Sequence, residues 1–325
     1  MGSFEDGDVS AVVEAEGLVR SFGSVRAVDG LDLRVERGEV FGLLGPNGAG
    51  KTTTIRMLAT LLAPTAGRAA VCGFDVTRQA REVRRRTGYV MQQMATTRNM
   101  LTGRQCVEME ASLYHVPRND VRQRAAELLE LMGLSAHADR RFAEYSGGMK
   151  KRLDLACGLL HRPELLILDE PSLGLDVQSR HKVWEHVREL QTQGVTVLLA
   201  TNYLDEADRL CGRLTIIDRG KTVVTGAPGD LKRSVGADII EVATQDPAGL
   251  EAAIAGQRWL QRQNRTASGE VHVHVTDAAT AMPALMRLAG DRGIHLERMT
   301  YSQPTLDDVF LLHTGRELRE EEGAA

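Results

Sequence analysis

The chain has 325 residues, 42% of them hydrophobic and 26% charged, with a formal net charge of -4. This is the profile of a globular protein with room for one large core and a smaller domain, and it supplies no overall field for nucleic acid. Cys72, Cys106, Cys157 and Cys211 show neither C-x-x-C nor metal-ligand spacing, which argues against a disulfide scaffold and fits a reducing compartment.

Met1 to Asp8 is acidic and lacks the charged-then-apolar pattern of a secretion signal. No run approaches the roughly 20 apolar residues of a membrane helix. Leu153 to Leu160 is too short and carries Asp154. Any membrane role therefore calls for a second polypeptide.

Val12 to Arg20 predicts a strand, and Leu31 to Glu36 alternates as a half-buried one. Ser21-Phe22-Gly23-Ser24 between them reads as a loop, with Phe22 either a packing residue or a platform for a planar ring. Val40 to Leu44 predicts a buried strand and Thr54 to Leu62 a helix stopped by Pro64. Between these lie Gly45, Pro46, Asn47, Gly48, Ala49, Gly50, Lys51, Thr52 and Thr53, the spacing G-x-x-x-x-G-K-[ST] in its required strand-loop-helix context. The glycines let successive N–H groups turn toward a polyanion, and the helix start adds its positive end. Lys51 should reach the β- and γ-phosphates of a nucleotide, and the Thr52 hydroxyl should coordinate Mg²⁺.

Gly67 to Gly73 suggests another short strand, Val83 to Arg86 ends a charged helix, and Thr87 to Met91 is a strand delivering Gln92 and Gln93. Leu101 to Leu113 and Asn119 to Leu131 read as helices broken at Pro117. The basic groups Arg84-Arg85-Arg86 and Lys150-Lys151-Arg152 read as solvated faces. Ser146, Gly147 and Gly148 open a helix as a second anion-seeking start. Leu165 to Leu168 is an apolar strand ending in Asp169 and Glu170, two carboxylates that are costly there unless a cation or ligand uses them. In a nucleotide enzyme Asp169 holds Mg²⁺, and Glu170 is placed to orient and polarise the attacking water.

Leu173-Gly174-Leu175-Asp176 is a loop before a helix from about Ser179 to Leu190. Val195 to Ala200 is a strand ending at Thr201-Asn202, parallel to the Leu165 strand and beside it; Leu204 to Leu210 is helical. Leu214 to Asp218 and Lys221 to Val224 form a hairpin. Alternating helices and strands indicate an α/β sheet covered on both faces, with antiparallel additions at both ends. Past Gly226 to Gly229 the composition shifts. Strands at Asp238 to Ala243, Val271 to Val275 and Ile294 to Tyr301, with helices at Ala279 to Ala289 and Thr305 to Leu312, predict a small α+β appendix. His272 and His274 share a strand face with no third ligand at sensible spacing, so they read as solvent-facing. Arg316 to Ala325 is charged and expected to fray.

With these motifs in order, the chain resembles the nucleotide-binding subunit of ATP-binding-cassette (ABC) transporters, and within it the daunorubicin/doxorubicin-resistance exporter branch. The features are Val28-Asp29-Gly30-Leu31, Gly45 to Leu62, Tyr145 to Met149, Tyr203 to Asp208, and Pro304 to Phe310 followed by Thr314-Gly315. The resemblance implies a P-loop NTPase fold of the ABC type over residues 10–226, with an antiparallel β subdomain and an α-helical subdomain at about 95–145. A small α+β C-terminal domain at 227–315 and a tail at 316–325 would follow. Phe22 would stack on adenine. Gln92 or Gln93, with Gln92 preferred, would contact Mg²⁺ or its water and sense the membrane partner. Ser146, Gly147 and Gly148 would touch the γ-phosphate held by the opposite subunit of a head-to-tail homodimer with two ATPs between. Asp176 belongs with the nucleotide contacts on the same grounds.

Separate integral-membrane permease subunits would hold the protein at the cytoplasmic face of the membrane, and the segment Leu306 to Phe310 would either meet them or form the appendix's own core. No nucleic acid is expected. Met149 and Ser172 are mild departures from the family pattern, and Asn202 is the sharper one. Histidine is usual there and the branch often has glutamine, whereas asparagine is a neutral amide one methylene shorter than glutamine. With Glu170 in place, hydrolysis is expected to persist. The implied function is ATP-driven export of a drug-like or lipid-like hydrophobic compound. The alternative is a soluble ABC-type ATPase acting on a ribosome, DNA or a protein complex.

Overall fold

The computed structural model describes residues 11–91, 98–114, 116–235, 238–265 and 269–314. They form two compact units, divided between Pro228 and Gly229. Gln92, Gln93 and the tail lie outside the described residues.

The first unit is built on two sheets. β1 (Ala11–Phe22) and β2 (Val25–Glu36) form a hairpin, which β4 (Ala66–Val71) and β5 (Phe74–Asp75) extend in the order β2-β1-β4-β5. Alternation decides the faces, since Leu31, Leu33 and Val35 are buried while Asp32 and Arg34 are exposed. The second sheet has the order β10-β9-β3-β8-β7-β6. Its parallel members are β3 (Val40–Leu44), β6 (Thr87–Val90), β7 (Leu165–Asp169), β8 (Thr196–Thr201) and β9 (Arg213–Asp218). β10 (Lys221–Gly226) is the antiparallel edge. Every residue of β3, β7 and β8 is buried, as expected of central parallel strands.

The sheet thus carries an antiparallel addition at one end only. The N-terminal strands form a sheet of their own instead, because β1 spends both its edges on β2 and β4. One core joins the two sheets through α1 (Lys51–Leu58), with Leu18, Leu31 and Val35 packed in the same cluster as Phe41, Ile55, Leu58 and Ile167. α1 ends four residues before the expected Leu62. Thr60 turns left-handed at φ +62°, and the N–H groups of Leu61 and Leu62 both fold back to Arg56 O.

α2 (Ala80–Arg86) leads into β6, and α3 (Gly103–Leu113), α4 (Arg118–Leu131) and α5 (Gly147–Gly158) pack together. Thr102 and Gln105 form a capping box on α3. Arg98 is half-buried between Glu110 of α3 and Asp154 of α5. Burial raises the Asp154 carboxyl to about 6 despite that guanidinium. α6 (Val177–Thr192) and α7 (Leu204–Leu210) flank β8. α8 (Pro228–Val235) follows β10.

The second unit takes in α8 from Gly229 and then runs β11 (Asp238–Thr244), α9 (Pro247–Ile254), β12 (Leu260–Arg265), β13 (Val271–Val275), α10 (Ala278–Asp291), β14 (Leu296–Ser302) and α11 (Leu306–Thr314). The sheet order β12-β13-β11-β14 is a split βαβ arrangement. Ile240, Val242, Val271, Val273 and Val275 pack with Leu250 and Ile254 of α9 and Leu285 of α10. His272 and His274 take the opposite strand face, and His274 Nε2 lies 3.0 Å from Asn264 Oδ1. Among the described residues, no group of His, Cys, Asp and Glu could hold a metal ion. β12, α8 and α9 are additional to the sequence reading. The run Gln261 to Arg265 carries no apolar alternation, and β13 alone makes it a strand. In α11, Leu306, Val309 and Phe310 are buried while Leu311 and Leu312 are exposed.

Candidate active site

The strand order brings the ends of β3, β7 and β8 together, with Leu44 beside Thr201 and Asp169 beside Ala200. Ligands of open parallel sheets bind at such carboxyl ends. Gly45 N donates to Thr201 O at 3.4 Å, tying the glycine loop to β8. A Cβ on Gly45 would meet Ile217 O at 2.3 Å, so only glycine permits this approach. Gly50 caps α1 at φ +103°, a conformation L side chains rarely adopt. Asn47 and Gly48 are exposed at the loop's tip, and Thr53 lies in the first turn of α1.

Lys51 is 4% exposed. Its Nζ donates to Gly45 O at 2.7 Å and Pro46 O at 3.0 Å, and lies 3.6 Å from Glu170 Oε1. Burial pulls its pKa below the ordinary lysine value, opposed by the carboxylates of Glu170 and Asp169. The Thr52 hydroxyl donates to Asp169 Oδ1 at 3.1 Å, and the Tyr89 hydroxyl donates to Oδ2 at 3.3 Å. Burial pushes the Asp169 carboxyl up, against the lowering effect of those two bonds. A buried carboxylate beside a hydroxyl is a hard-oxygen donor pair, and a divalent cation would offset the cost of burying it. These residues fit Mg²⁺.

Glu170 is buried, donates its N–H to Ala200 O at 2.9 Å, and sits at φ +48°. A non-glycine residue in the left-handed region costs free energy, and such residues concentrate at functional sites. Asn202 follows β8, and its Oδ1 is buried without a hydrogen-bond partner.

Ser146, Gly147, Gly148 and Asp176 belong to other elements. Ser146 caps α5 by accepting from Met149 N at 3.3 Å. Asp176 caps α6, accepting from Ser179 N at 2.9 Å and Ser179 Oγ at 2.8 Å, and these bonds hold its pKa below the usual carboxylate value. A Cβ on Gly148 would meet Ser179 Oγ at 2.4 Å, so the two helix starts pack directly on each other. Ser146 and Gly147 are exposed. Phe22 is the last residue of β1 rather than part of a loop. Phe22 is 47% exposed, and the Arg20 guanidinium lies 4.6 Å from its ring centroid.

The basic group Lys150 to Arg152 is not a solvated face throughout. Lys151 is 4% exposed and donates to Met91 O at 2.9 Å, because the helix turn that leaves Lys150 half-exposed points its neighbour inward. Tyr89 and Glu206 are further site-adjacent groups, to which the sequence assigns no role in the site. Only the period of their elements hints at their burial, and nothing in it points to their partners.

A model of the ABC transporter family matches residues 28–173. One of the C-terminal domain of DrrA1-3-like ATP-binding proteins matches residues 226–314. The chain is 46% identical over 312 residues to a daunorubicin resistance ATP-binding protein, DrrA2, of Streptomyces coeruleorubidus, covering 93% of this chain and 95% of that protein. It is 40% identical to the Nod factor export ATP-binding protein I of Paraburkholderia xenovorans, over 95% of this chain and 99% of that one. A solved ATP-binding subunit of an ABC transporter superposes with a TM-score of 0.62 at 29% identity, covering 69% of this chain and 92% of that one.

Proposed function

The chain belongs to the ABC transporter family, in the branch of drug-resistance ATP-binding proteins, and from that premise we propose how its residues work. It is the ATP-binding and hydrolysing subunit that powers export of a drug-like or lipid-like hydrophobic compound through a separate permease. Relatives named for daunorubicin resistance and Nod factor export favour this over an ATPase acting on ribosomes or DNA. The observation that carries the reading is the convergence of Lys51, Thr52, Asp169 and Glu170 at the ends of β3 and β7, with Lys51 Nζ 3.6 Å from Glu170 Oε1 and Thr52 Oγ1 3.1 Å from Asp169 Oδ1.

The loop Gly45 to Thr53 binds the phosphates of ATP through backbone N–H groups, and Lys51 exchanges its carbonyl partners for phosphate oxygens. Glu170 accepts a hydrogen bond from the attacking water and polarises it toward the γ-phosphate. Asn202 holds that phosphate or water by one amide hydrogen bond. Thr52 and Asp169, with Gln92, would hold Mg²⁺, which supplies positive charge at the phosphate oxygens. Phe22 stacks on adenine once Arg20 moves aside. Ser146 and Gly147, exposed at the start of α5, meet the γ-phosphate bound by a second copy of the chain, and Asp176 lies in the same interface. ATP closes this dimer and hydrolysis reopens it.

No helix among the described residues is long and apolar enough to cross a membrane. The permease supplies that passage and holds this subunit at the cytoplasmic face. A groove of about 1070 Å³ between α2 and the helices α3 and α4 has Arg81, Arg84 and Arg85 on one wall and the exposed Leu113 with Asp120 and the Arg124–Glu127 pair on the other, so its α2 side suits an acidic permease segment. The test is phosphate release and ATP-dependent accumulation of an amphipathic drug in inverted vesicles holding both subunits. Lys51→Ala is expected to abolish both; drug accumulation that persists in Lys51→Ala would refute the reading.

A further inference from the structure

Glu206 of α7 is fully buried, at 0% exposure, and takes no part in the chemistry above. Its Oε1 accepts a hydrogen bond from Trp184 Nε1 of α6 at 2.8 Å. The hydroxyls of Thr201 and Ser172, both fully buried, lie beside the same carboxyl. Thr201 ends β8 immediately before Asn202, its Oγ1 accepts from Tyr203 N at 3.0 Å, and its carbonyl accepts from Gly45 N. Ser172 lies two residues past Glu170 in the turn whose Leu173 N–H returns to Glu170 O. One carboxyl therefore faces both segments that carry the residues proposed to handle water and γ-phosphate.

The arrangement is not closed. Glu206 Oε2, Ser172 Oγ and Asn202 Oδ1 are all buried without hydrogen-bond partners. Buried polar atoms in folded proteins are almost always paired, and each exception calls for a reason. A purely packing role at this position would be served by an apolar side chain. Burial pushes the Glu206 carboxyl above the usual carboxylate range, opposed by the Thr201, Trp184 and Ser172 groups that face it. Pairing Ser172 Oγ with Oε2 would satisfy two of the orphaned atoms at once and draw the turn after Glu170 toward β8.

We propose that Glu206 is a positioning residue of the ATPase site, tying the turn behind Glu170 to the end of β8 so that Glu170 and Asn202 keep one spacing across the reacting phosphate. It touches neither substrate nor water; it acts through Ser172 and Thr201. The inference rests on the ATPase reading and adds to it a residue outside the family's phosphate-binding motifs.

The test compares wild type, Glu206→Ala, Glu206→Gln, Trp184→Phe and Ser172→Ala, each purified with its permease partner, by steady-state phosphate release over a range of ATP and by thermal midpoint. Glu206→Ala is expected to lower kcat by about 10- to 100-fold with KM for ATP within about threefold, since positioning affects the transition state more than ATP binding. Glu206→Gln keeps an acceptor for Trp184 and gains a donor for Ser172, so kcat should return to within about fivefold of wild type. Trp184→Phe, which keeps an aromatic ring but loses the N–H, should lower kcat by about three- to tenfold. A lowered thermal midpoint with unaltered kcat in Glu206→Ala would overturn the proposal, as would Glu206→Gln as slow as Glu206→Ala. If Glu206→Ala does not fold, wild-type kcat in both Trp184→Phe and Ser172→Ala would overturn it instead. Wild-type protein without phosphate release overturns the ATPase reading as well, whereas wild-type hydrolysis matched by Glu206→Ala overturns only this one.

Discussion

Glu170→Gln exchanges a carboxylate for an amide of the same shape, so its effects report charge rather than packing. Glu170 is 5% exposed and its Oε1 lies 3.6 Å from Lys51 Nζ. At that separation, and an effective dielectric of about 20, the gross attraction is about 4–5 kcal/mol. ATP must draw Lys51 away from that attraction when it binds. In Glu170→Gln the competition is gone, so ATP affinity should match wild type or exceed it by up to about tenfold. Hydrolysis moves the other way. Losing the base that polarises the water should lower kcat by about 100- to 10,000-fold, or about 3–5 kcal/mol of barrier. The assay pairs phosphate release with equilibrium ATP binding on one preparation, and size-exclusion chromatography in ATP reports the trapped dimer. Phosphate release at the wild-type rate would refute the water-orienting role. Weakened ATP binding would show instead that the Lys51–Glu170 pair is what holds Lys51 toward the phosphates.

Asn202→Ala should lower kcat by tenfold or less, the worth of one hydrogen bond at about 0.5–1.5 kcal/mol, and Asn202→His should be tolerated. An Asn202→Ala protein as slow as Glu170→Gln would contradict the dominance of Glu170. Gly147→Ala should keep the wild-type thermal midpoint, since its Cβ would meet only Leu175 Cδ2 at 3.5 Å, yet lose hydrolysis by crowding the partner's phosphate. Gly148→Ala, whose Cβ would meet Ser179 Oγ at 2.4 Å, should itself be destabilised by about 1–3 kcal/mol in urea unfolding. Asp154 titrates near 6 when folded against 3.8 in the unfolded chain, so its stabilising proton is fully bound below 3.8 and lost as pH rises through 6. Wild type should lose about 2–3 kcal/mol relative to Asp154→Asn across that window; a constant difference between their urea unfolding curves would refute the raised pKa. In α11, Phe310→Ala should cost about 3–5 kcal/mol of stability. Leu311→Ser with Leu312→Ser, both exposed, should spare the thermal midpoint and weaken co-sedimentation with permease-containing membranes.

The candidate site was legible in the sequence wherever it is local. Gly45 to Thr53 sits between a strand and a helix, and the need for a left-handed Gly50 is written into consecutive residues. Leu165 to Glu170 announces itself in the same way, because two acids at the end of an apolar run need a use. Burial patterns were legible where the period was clean, as in Leu31 to Val35. What the sequence could not carry is adjacency. Thr52 bonds to Asp169 across 117 residues only because β8 is inserted between β3 and β7 in the sheet, an order set by the summed packing of all six strands. Lys151 and Glu206 look like surface charges beside other surface charges. The tertiary structure alone turns them inward, onto Met91 O and Trp184 Nε1. β12 is a strand because β13 offers its edge, although its own residues favour neither face. Propensity and motif act over one or two turns of chain, whereas the partners of a buried polar atom are chosen by long-range packing that no short window of residues contains.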